Sequence, residues 1–246
     1  MMIKFAPFAL AVALALAAPA HAQTASPTGT AVTRPTVNTP PIIDATALLG
    51  PPPSPDSPRQ AADRLAMHPA VSPERLAQAR ADQPWTPWVA MHPVFGDSFT
   101  EARLPRTAKV FQDVLNGLSP PLGASKNAYH RPRPFIADPT VEQCDTPDAL
   151  LTASGSYPSG HSGGGWAWAL VLAELVPARA DAILQRGRDF GDSRVICGFH
   201  FPSDIEAGRT VASAVIARMH ADASFRRDLD AARAELARAY PAPRAR

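Results

Sequence analysis

The most constraining feature of this sequence is a short polar string that stands directly before an apolar, helix-like segment. Residues 155–161 read GSYPSGH, and the apolar segment covers residues 162–176. The first turn of a helix leaves backbone N–H groups unpaired, so those around Ser159 and Gly160 form a natural seat for an oxyanion. His161 adds an imidazole that titrates near neutral pH. A capped helix with a surface histidine is the alternative interpretation.

The N-terminal residues 1–22 have the pattern of a secretory signal peptide. They carry one basic residue, Lys4, then an apolar core, and end in Ala20-His21-Ala22, which is the small-x-small pattern of a cleavage site. The apolar part is shorter than the roughly 20 residues that span a bilayer, and no later segment is long and apolar enough. We therefore predict a periplasmic or secreted protein without membrane insertion.

The rest of the chain has the size of one domain with a substantial core. Residues 23–58 are rich in Pro, Thr and Ser and predict a proline-rich N-terminal arm, because proline disfavours a helix interior. Its later part, residues 42–49, is expected to pack on the body. Residues 59–246 are then the folded domain.

Helical spacing of apolar residues recurs along this domain, and no strand pattern is found. The pattern predicts an all-α, single-domain helical bundle with the active site formed by helix N-termini and connecting loops. Three consecutive glycines, residues 163–165, each cost a helix up to ~1 kcal/mol, so they predict a close approach of another backbone. Helices are predicted at 59–67, 73–81, 105–118, 122–129, 162–176, 178–192, 202–221 and 225–239.

The charge balance excludes a nucleic-acid binder of the electrostatic kind, with 24 Lys and Arg against 22 Asp and Glu. The role of each cation must therefore be inferred from the residues around it in the sequence. Lys126 is expected near a helix end and Arg133 on an extended strap, because Pro132 and Pro134 disfavour a helix there. For each cation alone, a solvated surface role is the alternative.

Cysteine is used twice, at Cys144 and Cys197. In an exported chain a single disulfide between them is the simplest assignment, and two free thiols are the alternative. The two cysteines lack nearby histidines at zinc-ligand spacing, so a metal site is poorly supported.

A second polar cluster contains His200 and Asp204. Pro202 fits the first turn of a helix, which places His200 just before that helix and Asp204 in its first turns. A carboxylate four residues after an imidazole can accept the ring N–H and fix its tautomer. A structural His–Asp pair is the alternative.

Taken together, the cations and the helix start predict a phosphate-binding site. Phosphoryl transfer depends largely on positioning and on charge stabilisation, which three cations supply. The predicted phosphate ligands are Lys126, Arg133, Ser159, Gly160 and Arg194.

The two histidines can supply the nucleophile and the proton donor of the reaction. A neutral His200, oriented by Asp204, can attack phosphorus, and His161 can protonate the leaving alkoxide. We predict no metal and no other cofactor, because the cations already neutralise the charge.

Three sequence segments carry a family resemblance, namely Lys126-x6-Arg133-Pro134, Pro158-Ser159-Gly160-His161 and Ser193-Arg194-x5-His200-x3-Asp204. Together they resemble the acid phosphatase and vanadium haloperoxidase superfamily, which includes the type 2 phosphatidate phosphatases. The longer strings GSYPSGH and SRVICG are similar to the bacterial class A non-specific acid phosphatases. This chain departs from the class A pattern at Ser162, where threonine is frequent, and at Phe201-Pro202, which replaces a Trp-Gln pair.

The resemblance implies the same residue roles that the chemistry predicts, with a phosphohistidine formed on His200. We therefore predict an exported, metal-independent acid phosphatase that hydrolyses small-molecule phosphate monoesters of broad range. Its pH–rate profile should be bell-shaped, since His161 must be protonated while His200 must be neutral. A vanadate-dependent haloperoxidase and a catalytically inactive phosphate-binding protein are the alternatives. The physiological substrate, the balance of hydrolysis and phosphotransfer, and association into a homo-oligomer stay open.

Overall fold

The computed structural model describes residues 42–241. These residues form helices joined by loops, and no strand occurs among them, which confirms the all-α prediction. The predicted signal peptide (1–22) and residues 23–41 of the predicted arm lie outside the described part. The helices are α1 (Ala45–Leu49), α2 (Pro58–Leu65), α3 (Pro73–Ala81), α4 (Pro87–Phe95), α5 (Pro105–Tyr129), α6 (Pro134–Ala137), α7 (Ala149–Ala153), α8 (Gly160–Leu175), α9 (Ala180–Ile196), α10 (Pro202–Met219) and α11 (Ala223–Ala239).

Helix α8 lies at the centre of the bundle. It packs against α9 and α10 and also contacts α5, α4 and α11. Its sequence is apolar nearly all round, and Trp168, Val171 and Leu172 are completely buried. A helix that is apolar on every side is stable only when other helices surround it. In the described part of the chain, none of the helices combines the length and the apolar composition that crossing a bilayer requires.

The glycine run of α8 explains how its neighbours come so close. A Cβ at Gly163 would lie 3.2 Å from the carbonyl oxygen of Gly208 in α10. A Cβ at Gly165 would lie 2.5 Å from the Phe190 ring in α9, and one at Gly164 would lie 2.5 Å from Trp85. The predicted close approach is therefore confirmed, and it holds the start of α8 against the two helices that carry the other polar motifs.

The helices predicted at 105–118 and 122–129 are wrong as separate elements, because α5 runs through Pro120 and Pro121 without a break. Each interior proline removes a backbone hydrogen bond and costs ~3 kcal/mol in an isolated helix. Here both prolines are buried, and the flanking Leu118 and Leu122 belong to the main core. Packing on both sides of the prolines therefore outweighs the loss.

The short helices α1, α6 and α7 were not predicted, and the longer helices α4 and α9 also differ from the sequence prediction. No helix was predicted at α4, because its segment contains several prolines. Pro87 occupies the first helical turn, and Thr86 Oγ1 caps the helix by accepting from Val89 N at 3.1 Å. Proline is compatible with a first turn, where its missing N–H is not needed. Helix α9 extends to Ile196 rather than to residue 192, so Arg194 lies in its last turn and not in a loop.

Helix α1 packs on the body, as expected for residues 42–49. Tyr129 donates a hydrogen bond from its hydroxyl to the carbonyl of Thr46 at 2.9 Å, and the Thr46 and Ser125 hydroxyls lie 3.2 Å apart. These contacts join α1 to the C-terminal half of α5. The domain boundary at residue 58 stays a prediction.

The structure contains the disulfide between Cys144 and Cys197. Cys197 is the C-terminal cap of α9, and Cys144 lies in the loop that leads to α7. The bond therefore fastens the segment before the GSYPSGH string to the end of the helix that carries Arg194.

Candidate active site

The three predicted cations surround the ring of His200. Arg133 Nη1 lies 3.1 Å from His200 Nε2. Burial first, and then the positive charges of Arg133, Lys126 and Arg194, hold the pKa of His200 well below its ordinary value of 6.5, against a smaller opposing effect of the Ser156 backbone carbonyl. Residues from separate sequence motifs therefore meet around one neutral imidazole.

Arg133 is brought to this ring by the end of α5. His130 adopts the left-handed region with φ 47° and ends the helix, and the chain continues into the strap, so that Arg133 is extended at the start of α6. Its buried guanidinium donates to the carbonyl of Phe199 at 2.9 Å and to that of Leu151 at 2.7 Å. These main-chain acceptors fix the side chain without neutralising its charge.

Arg194 is a buried cation with a hydrogen-bond donor left over. It lies in the last turn of α9, stacks over the Phe199 ring at 4.4 Å and donates to the side-chain oxygen of Gln83. Its Nε has no hydrogen-bond partner in the described part of the chain. Burial, and next the nearby charge of Arg133, lower its pKa to about 9. Such an arrangement favours an anionic ligand, because a buried unpaired donor is costly.

Lys126 also lies in the last turn of its helix, α5. Its Nζ donates to the carbonyl of Gly155 at 2.6 Å and lies 3.4 Å from that of Ser156. The lysine therefore joins the first motif to the GSYPSGH string. Lys126 and Arg194 thus both lie at helix C-termini, where the helix dipole favours a cation. The prediction placed the site at helix N-termini and loops, so these two cations are an addition to it.

The start of α8 faces open space. Ser159 is the N-terminal cap, and its Oγ accepts from Ser162 N at 3.2 Å. Ser159 N donates to the carbonyl of Asp204 at 2.9 Å, which ties this turn to α10. A Cβ added at Gly160 would have no atom within 4 Å. The backbone at Gly160 is therefore accessible to a ligand, as the oxyanion hypothesis requires.

Asp204 lies close behind His200, and the hydroxyl of Ser156 lies beside both groups. The distance from Asp204 Oδ2 to His200 Nδ1 is 3.5 Å. Ser156 Oγ lies 3.3 Å from the same Nδ1 and donates to Asp204 Oδ2 at 2.6 Å. Asp204 Oδ2 also accepts from Phe201 N at 2.8 Å, as in a capping box at the start of α10. His200 and Asp204 therefore lie close together, and Ser156, which contacts both, was missed by the sequence analysis.

The environment of His161 differs from that of His200. Its ring stacks on Phe190 with a centroid distance of 4.4 Å and an interplanar angle of 19°, and it is partly exposed. Its Nε2 lies 2.7 Å from the carbonyl oxygen of Asp82. A carbonyl can only accept, so Nε2 carries a proton and the second ring nitrogen, Nδ1, is the one that gains or loses a proton.

Residues 109–228 match the PAP2 superfamily. The match covers 120 of the 246 residues. The matched residues run from α5 into α11 and contain all of the residues predicted for the site, from Lys126 to Asp204.

Three similar proteins carry names that describe an activity. The chain is 47% identical over 139 residues to the acid phosphatase of Zymomonas mobilis, which covers 56% of this chain and 52% of that protein. It is 41% identical over 151 residues to the non-specific acid phosphatase of Providencia stuartii, covering 61% and 60%. It is 37% identical over 145 residues to the non-specific acid phosphatase of Salmonella typhimurium, covering 58% of each. The matched part thus spans between half and three fifths of these relatives.

A buried arginine within the PAP2 region was missed by the sequence analysis. Arg131 Nη1 donates to Asp204 Oδ1 at 2.6 Å, and its Nη2 donates to Asp63 Oδ2 at 2.8 Å. The ring of Phe201, one of the departures from the class A pattern, lies 4.3 Å from the guanidinium carbon. Arg131 therefore compensates the negative charge of Asp204. The sequence does show a basic residue at position 131, between Lys126 and Arg133. It does not show that the residue is paired, because its partner Asp63 lies 68 positions upstream.

Two more residues that the sequence analysis missed lie before the PAP2 match, in the loop between α3 and α4. Asp82 is completely buried and accepts from Arg186 and from Ser193 Oγ, while its backbone carbonyl holds His161. The next residue, Gln83, accepts from Arg194. This loop, residues 82–83, therefore orients one predicted catalytic group and one predicted phosphate ligand. An isolated Asp-Gln pair gives no sequence signal for that role.

Proposed function

We propose that this protein is an acid phosphatase that transfers the phosphoryl group of small phosphate monoesters to His200 and then to water. The relatives named acid phosphatase support this proposal. The matched part spans only between half and three fifths of those proteins. The proposal therefore depends mainly on the geometry of this chain's own site.

The observation that carries the proposal is the unpartnered Nε of Arg194. This donor is buried beside Arg133 and Lys126, next to a neutral imidazole whose pKa those cations lower. A phosphoryl group supplies oxygens for all three cations and an electrophile for the ring, so it satisfies the cluster in a way that a water molecule does not.

In the first step, we infer that the phosphate oxygens bind to Arg133, Arg194 and Lys126 and to the backbone at Gly160. The phosphate oxygen then takes over the hydrogen bond that Arg133 Nη1 makes to His200 Nε2 at 3.1 Å in the resting protein. This exchange frees the Nε2 lone pair to attack phosphorus. The N–P bond forms as the P–O bond to the leaving group breaks, and the cations stabilise the charge on the equatorial oxygens.

His161 delivers a proton to the leaving oxygen as this P–O bond breaks. Since Nε2 donates to the Asp82 carbonyl, the transferred proton comes from Nδ1. The neutral His161 then accepts a proton from a water molecule that attacks the phosphohistidine, which releases phosphate and restores both rings.

Activity in acid follows from the environment of His200. Its pKa is held well below 6.5 by burial and by three cations, so the nucleophile stays neutral in mildly acidic solution. The acidic limb of the pH–rate profile should therefore lie well below the ordinary histidine value.

Hydrolysis of p-nitrophenyl phosphate and of an alkyl phosphate, both in EDTA, tests this proposal. His200→Ala should abolish both reactions. In the first turnover, His161→Ala should slow release of the alcohol from the alkyl phosphate by about 10²–10⁴-fold but release of p-nitrophenolate far less, because a nitrophenolate leaves without a proton. Equal losses in this first-turnover rate would contradict the role of His161 as acid, and loss of wild-type activity in EDTA would contradict the metal-independent mechanism.

We also propose that the protein is exported and cleaved after Ala22. The support is the sequence pattern of residues 1–22 together with a disulfide, which is typical of oxidising compartments. N-terminal sequencing of the protein purified from the periplasmic fraction should begin at Gln23. An N-terminus at Met1 in a cytosolic fraction would contradict export.

A further inference from the structure

The hydroxyl of Ser156 lies within reach of both His200 and Asp204. Ser156 is completely buried. Its Oγ lies 2.6 Å from Asp204 Oδ2 and 3.3 Å from His200 Nδ1, while the direct distance from Nδ1 to Oδ2 is 3.5 Å. The hydroxyl is therefore the nearer neighbour of both groups.

The direction of each hydrogen bond follows from what the groups can donate. A guanidinium has no acceptor, so Arg133 Nη1 can only donate to His200 Nε2, and the proton of the neutral ring must be on Nδ1. The carboxylate of Asp204 can only accept, so the single hydroxyl proton of Ser156 points to Oδ2. Ser156 Oγ, at 3.3 Å, can then accept from the Nδ1–H group. Asp204 Oδ2 lies farther from Nδ1, at 3.5 Å, and the Ser156 backbone carbonyl also interacts with the ring.

We propose that Ser156 is a positioning residue for His200, which completes a chain of hydrogen bonds from the ring Nδ1–H through the Ser156 hydroxyl to Asp204. This inference rests on the proposed function only for the kinetic role of His200. The chain fixes the tautomer that leaves the lone pair on Nε2. When the ring becomes positively charged in a phosphohistidine, the same chain connects that charge to the carboxylate.

The surroundings of Ser156 are held by groups other than its hydroxyl. Ser156 N donates to the carbonyl of Arg131 at 2.8 Å, and the Ser156 carbonyl lies 3.4 Å from Lys126 Nζ. Asp204 keeps its bonds from Arg131 Nη1 and Phe201 N. Replacing Ser156 by alanine should therefore remove one oxygen atom from the site and leave its frame in place.

Two measurements on Ser156→Ala test the inference, one of them independent of activity. In ¹⁵N-histidine NMR of the resting wild-type protein, His200 should give one tautomer with a protonated Nδ1 and a slowly exchanging Nδ1–H signal. In Ser156→Ala this signal should broaden or move, because the acceptor has gone. The kcat for p-nitrophenyl phosphate should fall by about 10- to 100-fold with little change in KM, since a charge-assisted hydrogen bond is lost.

The controls separate the inference from the proposed function. Ser125→Ala removes another fully buried hydroxyl, bonded to Thr46 outside the site, and should leave both the signal and kcat unchanged. Ser156→Thr keeps the hydroxyl and should retain the Nδ1–H signal. A wild-type signal and a wild-type kcat in Ser156→Ala would overturn the inference, because Asp204 or the main-chain carbonyl of residue 156 would then be the acceptor. A wild-type protein without phosphatase activity would contradict the proposed function, while the NMR comparison would still decide the role of Ser156.

Discussion

The two histidines of the site are held in opposite ways. His200 is 3% exposed and is contacted by charged or hydroxyl side chains, with Arg133 on one ring nitrogen and Ser156 and Asp204 near the other. His161 is partly exposed, stacks on Phe190 and is held through the main-chain carbonyl of Asp82.

This difference corresponds to the two tasks that we propose. A nucleophile must stay neutral and keep its lone pair aimed, which burial among cations and a fixed tautomer achieve. A proton donor must exchange protons with the leaving group and with water, which a stacked and partly exposed ring allows. Side-chain substitutions should therefore affect the His200 side most, whereas the His161 side should respond to changes at the main chain.

The largest predicted contrast is between Asp204→Asn and Asp82→Asn. Both residues are completely buried acceptors of an arginine, Arg131 and Arg186 respectively, so each variant should lose about 3–5 kcal/mol of folding free energy. Asp204→Asn should also lower kcat by about 10²–10³-fold, because the chain that orients His200 is disturbed. Asp82→Asn should lower kcat by less than about tenfold, since its main-chain carbonyl remains.

Urea unfolding and steady-state kinetics on the two variants make this comparison. The kinetic measurements are made at a temperature where both variants are folded. Equal losses of kcat would show that the two histidines depend on their supporting carboxylates in the same way, which the account does not allow.

A smaller effect is predicted for Gly160→Ala, on the main-chain side of the site. A Cβ there meets no protein atom within 4 Å, so the variant should fold with unchanged or slightly higher stability. The added methyl group should occupy space that we assign to phosphate and raise the inhibition constant of inorganic phosphate by about tenfold. Gly123→Ala is the matched control, because its Cβ also meets no atom within 4 Å and it lies within α5.

Inhibition by phosphate and thermal unfolding check this prediction on both glycine variants. Gly123→Ala should bind phosphate as the wild type does. Wild-type inhibition of Gly160→Ala would place the anion away from the start of α8.

The smallest predicted effect is a pH dependence of stability that belongs to His200. Its pKa is lowered in the folded protein and lies near 6.5 in the unfolded chain. Between these two pKa values only the unfolded chain binds the proton, so the free energy of unfolding falls as the pH falls below about 6.5. The contribution amounts to at most about 1.4 kcal/mol per pH unit.

The wild type should therefore lose stability relative to His200→Asn between about pH 6.5 and about pH 5. Urea unfolding of both proteins across this range measures the difference. A constant difference would mean that the folded protein accepts a proton on His200 as readily as the unfolded chain, contrary to its cationic surroundings.

Sequence alone was sufficient to single out three cations that the structure brings together. Lys126, Arg133 and Arg194 stand in short motifs whose local backbone follows from proline positions and helix ends, and the structure brings them to the same ring. The all-α class and the disulfide also followed from pattern and composition.

The residues that hold these groups could not be found in the same way. Asp63 and Gln83 are ordinary polar residues in a part of the chain that precedes the family match. Their roles arise because α2 and the loop at 82–83 pack beside α10 and α9, which only the tertiary structure reveals. The continuity of α5 through two prolines likewise depends on core packing that overrides local propensity.

Direct detection of the phosphorylated enzyme tests the central claim. Wild-type protein is mixed with p-nitrophenyl phosphate, quenched in alkali to preserve phosphohistidine, digested and analysed by mass spectrometry, beside His200→Asn and His161→Asn. The account predicts a phosphoryl group on His200 in the wild type, retention of this adduct in His161→Asn, and no adduct in His200→Asn. A phosphoryl group on His161, or turnover by His200→Asn, would contradict it.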